Sequence, residues 1–85
     1  MASYRLEFTL SAVKELEDLP RKDLARVMGR IEGLSANPRP LGCEKLSDQE
    51  RYRVRQGNYR ILYGVNDPQQ LVTIVKIGHR REVYR

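Results

Sequence analysis

Polar and apolar residues alternate from Ser3 to Phe8, with Tyr4, Leu6 and Phe8 on one side, the period-two pattern of a short strand. Thr9 or Ser11 then offers a cap for a helix whose apolar positions Val13, Leu16 and Leu19 recur every three residues. Pro20 ends that helix or opens the next from its first turn. The second helix has the clearest pattern. Leu24, Val27, Met28, Ile31 and Leu34 fall on one face, and Arg21, Lys22, Arg26, Arg30 and Glu32 on the other. Asn37, Pro38 and Pro40 in the stretch SANPRPLG stop it. The short connection between the helices makes them an antiparallel pair.

After Gly42 the period changes from that of a helix to that of strands. Glu44 to Leu46 fits a short edge strand, followed by the polar turn SDQE. Strands are expected over Tyr52–Gln56 and Tyr59–Val65, with a turn at Asn66-Asp67-Pro68. The run LVTIVKI comes next and is apolar on both faces, as an interior strand requires. The order β-α-α-β-β-β-β predicts an α+β fold. It is a single domain over residues 1–85, with a helix pair on one face of a mostly antiparallel sheet of four to five strands. Repeats, low-complexity segments and linkers are absent from the sequence.

Gly57-Asn58 lies between two alternating runs in RYRVRQGNYRILY and reads as a two-residue hairpin loop. That loop sets Gln56 opposite Tyr59, Arg55 opposite Arg60, Val54 opposite Ile61, Arg53 opposite Leu62 and Tyr52 opposite Tyr63. The two faces then separate by chemistry. Tyr52, Val54, Ile61 and Tyr63 turn towards the helices; Arg51, Arg53, Arg55 and Arg60 turn away. Like charges directly opposed in a sheet cost up to ~1 kcal/mol against neutral pairs. Two readings account for the arrangement: a solvated basic face whose arginine stems shield the sheet, or an anion site of planar guanidinium forks. The absence of an acid within the hairpin favours the anion site.

Charge sharpens the picture. The net charge of +5 is placed unevenly: seven Lys/Arg against six Asp/Glu over residues 1–42, and nine against five over residues 43–85. A localised basic surface of this kind suits a polyanion or an acidic protein partner. A single cysteine, Cys43, excludes an internal disulfide, and no Cys/His cluster has zinc spacing, so neither metal nor cofactor is implied. The N-terminus lacks the pattern of a signal peptide and no apolar run reaches membrane-spanning length, which leads us to expect a soluble cytoplasmic protein with no membrane contact.

The chain closes with KIGHRREVYR, a histidine, three arginines and a tyrosine directly after the interior strand. Four pieces together resemble the RelE-like branch of the RelE/ParE toxin superfamily: the opening YRLEF, the helical pair ending at NPRP, the hairpin YRVRQGNYRILY and the end IGHRREVY. The resemblance covers essentially the whole chain, and the last two pieces are the specific ones. It implies the toxin of a type II toxin–antitoxin pair, a ribosome-dependent endoribonuclease that cuts messenger in the A site without a metal. It also implies an antitoxin that wraps the toxin, with operator DNA contacted through the antitoxin.

Carried over residue by residue, the resemblance assigns the catalytic positions to Arg53, Arg55, Arg60, Arg80 and Tyr84. Arg51, Lys76, His79 and Arg81 join them as residues that contact RNA. Attack by a neighbouring 2′-OH requires that hydroxyl deprotonated, the phosphorane charge stabilised and the 5′-oxygen protonated as it leaves. Arg60 and Arg80 suit phosphate clamping. Tyr84 suits base stacking or proton transfer, since guanidinium groups lower a phenol from its reference pKa near ~10; alternatively it packs the last strand onto a helix. The hairpin positions that carry lysine in other members carry arginine here. Arginine, with a pKa above ~12, is a poor general base. The base is therefore open among Tyr84, His79, a water and a ribosomal group. Two other classes stand beside this one: a ParE-like gyrase inhibitor, and a non-catalytic nucleic-acid-binding module.

Overall fold

The computed structural model describes residues 3–46 and 50–79. Strand β1 (Arg5–Phe8) leads into helix α1 (Leu10–Glu17), and α2 (Arg21–Ala36) follows after Pro20. Strands β2 (Glu44–Lys45), β3 (Arg51–Gln56), β4 (Tyr59–Asn66) and β5 (Leu71–His79) complete a five-stranded sheet in the order β1-β5-β4-β3-β2. Neighbours are antiparallel except β1 and β5, which run parallel because the helix pair carries the chain back across one face. The expected α+β layering is what the chain adopts.

Thr9 supplies the first cap, in preference to Ser11. Its Oγ1 accepts from the Ala12 amide at 3.1 Å and donates to the Val75 carbonyl at 2.8 Å, so one residue starts α1 and ties it to β5. Pro20 stands at the N-cap of α2. Val27, Ile31 and Leu34 bury the face that periodicity indicates, with Leu24 and Met28 half-buried at its margin. Helix α1 differs from expectation. Its buried residues are Ala12 and Leu16, while Val13 stays exposed, because the short helix lies close against β5 and the small Ala12 occupies the contact.

β5 carries one residue more than β4 requires. Tyr63 pairs with Ile74 and Leu62 with Lys76, leaving Val75 as a bulge. A regular strand would put Lys76 on the core face opposite Ile61. The bulge shifts the phase so that Ile77 takes that place, fully buried, and the helix-facing surface stays apolar from Val72 to Ile77. Glu15 of α1 secures the shifted segment. Its carboxylate accepts from the Ile77 amide at 2.8 Å and the Lys76 ammonium at 2.7 Å.

The end of the sheet away from the hairpin tip is closed by a polar clasp. Arg39, from the NPRP loop, donates to the Tyr52 hydroxyl at 2.8 Å, to Glu50 at 2.6 Å and to both Asp67 oxygens at 2.8 and 3.1 Å. Its guanidinium lies 5.1 Å from the centre of the Tyr52 ring, which stacks on Tyr63. Tyr4 donates to Asp67 at 2.6 Å, and Tyr63 donates to the Pro38 carbonyl at 2.6 Å. The start of the chain, the loop after α2, β3 and the β4–β5 turn are thus held together. Arg39, with Tyr52 and Lys45, pulls Glu50 down to about 2, and Arg39 with Tyr4 lowers Asp67. Carboxylates depressed on folding stabilise the native state above their unfolded values of about 4 and lose that contribution as pH falls towards about 2. The thermal midpoint should therefore drop between pH 5 and pH 2, and Arg39→Ala should drop less over the same range. Equal acid sensitivity in the two proteins would remove the clasp from the account.

Candidate nucleic-acid interface

The hairpin adopts the expected register at every pair from Gln56–Tyr59 to Tyr52–Tyr63. Gly57 opens the loop at φ 60°, a left-handed conformation that a residue with a β-carbon adopts at a cost. Tyr52, Val54, Ile61 and Tyr63 are buried beneath the helices, and burial above all pushes the Tyr63 phenol well above its ordinary value. Strand alternation consequently puts Arg51, Arg53, Arg55 and Arg60 on the opposite face, which is uncovered among the described residues.

That face contains an acid that the hairpin alone does not show. Glu44 of β2 pairs directly with Arg53 across the sheet. Its Oε1 accepts from Arg53 Nη2 at 2.7 Å and Nε at 3.1 Å, while Arg53 Nη1 is buried without a hydrogen-bond partner among the described residues. Glu44 is held below the usual carboxylate range by the hydrogen bond and charge of Arg53, and further by the charges of Arg60 and Arg55. One carboxylate therefore feels three guanidinium groups. The Glu44 side chain is itself 61% exposed. The expectation of an arginine face without acid is corrected by this edge strand.

Other assigned residues fall elsewhere. His79 pairs with Tyr59 on the helix-facing side, its ring edge-on to the tyrosine at 6.0 Å. The Val75 bulge is the cause, since without it His79 would share a face with Arg60; instead Gly78 stands opposite Arg60. His79 lines a small cavity of about 180 Å³ with Asp23, Arg26, Gln56 and Tyr59, and the Tyr59 hydroxyl donates to Asp23 at 2.9 Å, which raises the phenol pKa. Lys76 forms an ion pair with Glu15 at 2.7 Å. Arg80, Arg81 and Tyr84 lie outside the described residues. Among the described residues no group of His, Cys, Asp and Glu could hold a metal, and no helix is long and apolar enough to cross a membrane.

This architecture and this chain have known counterparts. Residues 6–84 match the family described as the ParE toxin of the type II toxin-antitoxin system parDE. Toxin RelG of Mycobacterium tuberculosis is 34% identical over 87 residues, spanning 96% of this chain and 97% of the relative. The toxin–antitoxin complex RelBE2 of the same organism aligns with a TM-score of 0.81 at 30% identity, over 93% of this chain and 100% of that one. The archaeal RelE–RelB complex of Pyrococcus horikoshii aligns at 0.80 and 27% identity, over 94% and 98%. Near-complete coverage in both directions, with the helix pair, five-stranded sheet and arginine hairpin already in place, leaves one conclusion: the chain belongs to the RelE/ParE superfamily of type II toxin–antitoxin toxins, as a RelE-like member.

Proposed function

We propose that this toxin is a metal-independent endoribonuclease that cuts messenger RNA in the ribosomal A site and so stops translation. The observation that carries the proposal is the row of Arg53, Arg55 and Arg60 on one face of the hairpin, with Arg53 already bound to the Glu44 carboxylate. A face that holds one internal anion in this way is suited to a phosphodiester. The 2′-oxygen attacks phosphorus, the bond to the 5′-oxygen breaks, and a cyclic phosphate and a free 5′-hydroxyl result. Arg60, with Arg80, would stabilise the charge that builds on the phosphorane, and Arg53 and Arg55 would hold the flanking backbone.

Proton transfer needs other groups. The guanidinium groups stay charged, and a carboxylate whose pKa they hold down is a weak proton acceptor. His79 faces the helices. Tyr84, a water or a ribosomal group is left as the base, and dependence on the ribosome follows naturally if the last of these contributes.

The relatives solved as RelE–RelB and RelBE2 complexes support an antitoxin partner for this chain too. An extended acidic segment would satisfy the arginine row, and contact with operator DNA would come through that partner. The cytoplasm is where both ribosome and antitoxin are met.

Mapping messenger 5′ ends after brief expression tests the reading, together with a purified cleavage assay with and without ribosomes. In-frame cuts within translated codons, lost in Tyr84→Phe, are expected. Intact messenger accompanied by gyrase-linked DNA breaks would replace the nuclease with a ParE-like gyrase inhibitor. RNA bound but never cut would reduce the protein to a binding module.

A further inference from the structure

We propose that the trough floored by Gly64 on the uncovered face of the sheet is a nucleobase subsite. It would hold one unstacked base of the single-stranded RNA whose phosphates the arginines engage, with the base lying on the Arg51 guanidinium. The proposal rests on the reading of the arginine face as an RNA interface and adds a place where a base, rather than the backbone, is recognised.

Gly64 is the first observation. It sits in the interior of β4, directly opposite Arg51 and Thr73 in the flanking strands, where glycine weakens a sheet. Its backbone is not in the left-handed region, so conformation does not demand glycine there. Nor does space: a β-carbon there would make ordinary van der Waals contact with Arg51 Nε at 3.4 Å, Arg51 Cδ at 3.5 Å and the Glu50 carbonyl oxygen at 3.6 Å, so the arginine stem lies beside the glycine. A trough of about 440 Å³ opens here, walled by Glu50, Arg51, Asn66, Leu71, Thr73 and Val75.

The chemistry of those walls suits a base. Leu71 and Val75 offer apolar contact, and Asn66 and Thr73 offer donors and acceptors for a base edge. Arg51 supplies a planar cation of the kind on which bases stack. Its guanidinium has no ion pair among the described residues, in contrast with Arg39 and Arg53, which have carboxylate partners.

Position supplies the third argument. Arg51, Arg53 and Arg55 alternate along one strand at about 6.6 Å intervals, and Gly64 lies about 13 Å along β4 from Arg60. A backbone held at Arg55 and Arg60 and running along the hairpin reaches the trough a few nucleotides from the scissile phosphate. The site is continuous with the arginine row.

The test uses a short 2′-O-methyl RNA, which cannot be cleaved by its own 2′-oxygen, and a series carrying one abasic nucleotide at each position in turn. Binding to the full chain is read by fluorescence anisotropy. One abasic position is expected to weaken binding about fivefold, the size of a lost base stack. Gly64→Val, a good strand former, should weaken the intact RNA equally and erase the difference at that position. Arg51→Lys keeps the charge and avoids steric strain; it should also erase the difference while leaving the salt dependence of binding unchanged. A flat abasic series overturns the proposal, as does intact RNA bound normally by both variants. Weakened antitoxin binding with unaltered RNA binding would also overturn it, by giving the trough to an antitoxin side chain. Cleavage with a flat abasic series removes this subsite alone; the expected abasic effect without cleavage removes the nuclease reading and keeps the subsite.

Discussion

Arg60→Ala should abolish in-frame messenger cleavage, lowering the single-turnover rate about 100- to 1000-fold while the protein remains folded. Arg60 lies on the uncovered face of β4, opposite Arg55 on one side and Gly78 on the other, so its loss creates no cavity in the core. Its charge, with those of Arg53 and Arg55, helps to hold the Glu44 carboxyl below the usual carboxylate range. Removing a donor aimed at developing phosphorane charge costs more than removing one that only binds ground-state phosphate, and the rate should fall more than ribosome affinity does. Arg60→Lys keeps the charge but loses the fork and should fall between the two. Glu44→Gln tests the same cluster with the opposite sign: releasing the internal anion should tighten binding of single-stranded RNA about two- to fivefold. Arg21→Ala, an exposed helix position, serves as the control for net charge. Full cleavage by Arg60→Ala would remove this residue from the reaction and leave the arginine face a binding surface.

Much of this site is legible in the sequence because a hairpin with a two-residue loop leaves no freedom in register. Once Gly57-Asn58 is the loop, Arg53, Arg55 and Arg60 must share a face and Ile61 must oppose Val54. The second helix is equally plain, since five apolar residues at helical spacing define one stripe. Glu44 was harder to place. A two-residue strand carries almost no pattern, and nothing in its composition says that it borders Arg53 rather than standing free. The Val75 bulge was hidden for a different reason. LVTIVKI is apolar at both phases, so periodicity cannot reveal where one residue is skipped, and every side chain beyond that point changes face. His79, expected to contact RNA, consequently stands on the helix-facing side. Lys76, expected to contact RNA as well, is joined to Glu15, 61 residues away in sequence, a pairing that no local pattern shows. The Arg39 clasp likewise joins segments that only the folded chain brings together.

Ile61→Ala should produce the contrary phenotype to its neighbour: a protein that fails by unfolding rather than by losing chemistry. Ile61 is fully buried between Val54 and Ile77, beneath the helices. Truncating it removes transfer free energy and leaves a cavity that the paired strands cannot close, at a cost of about 2–5 kcal/mol. An 85-residue domain has a total stability of roughly 4–13 kcal/mol, so the loss is a large share of the whole. Denaturant unfolding should show a lower midpoint with an unchanged slope, and expression without a partner should yield little soluble toxin. Binding to the native state alone adds stability by mass action, about 2.7 kcal/mol when the partner is at one hundred times its dissociation constant. Co-expression with the cognate antitoxin should therefore restore soluble Ile61→Ala protein. Arg60→Ala needs no such rescue and would not regain activity from it. If Ile61→Ala instead matched the native midpoint, the core face assigned to β4 would be wrong, and with it the alternation that puts Arg60 on the other side.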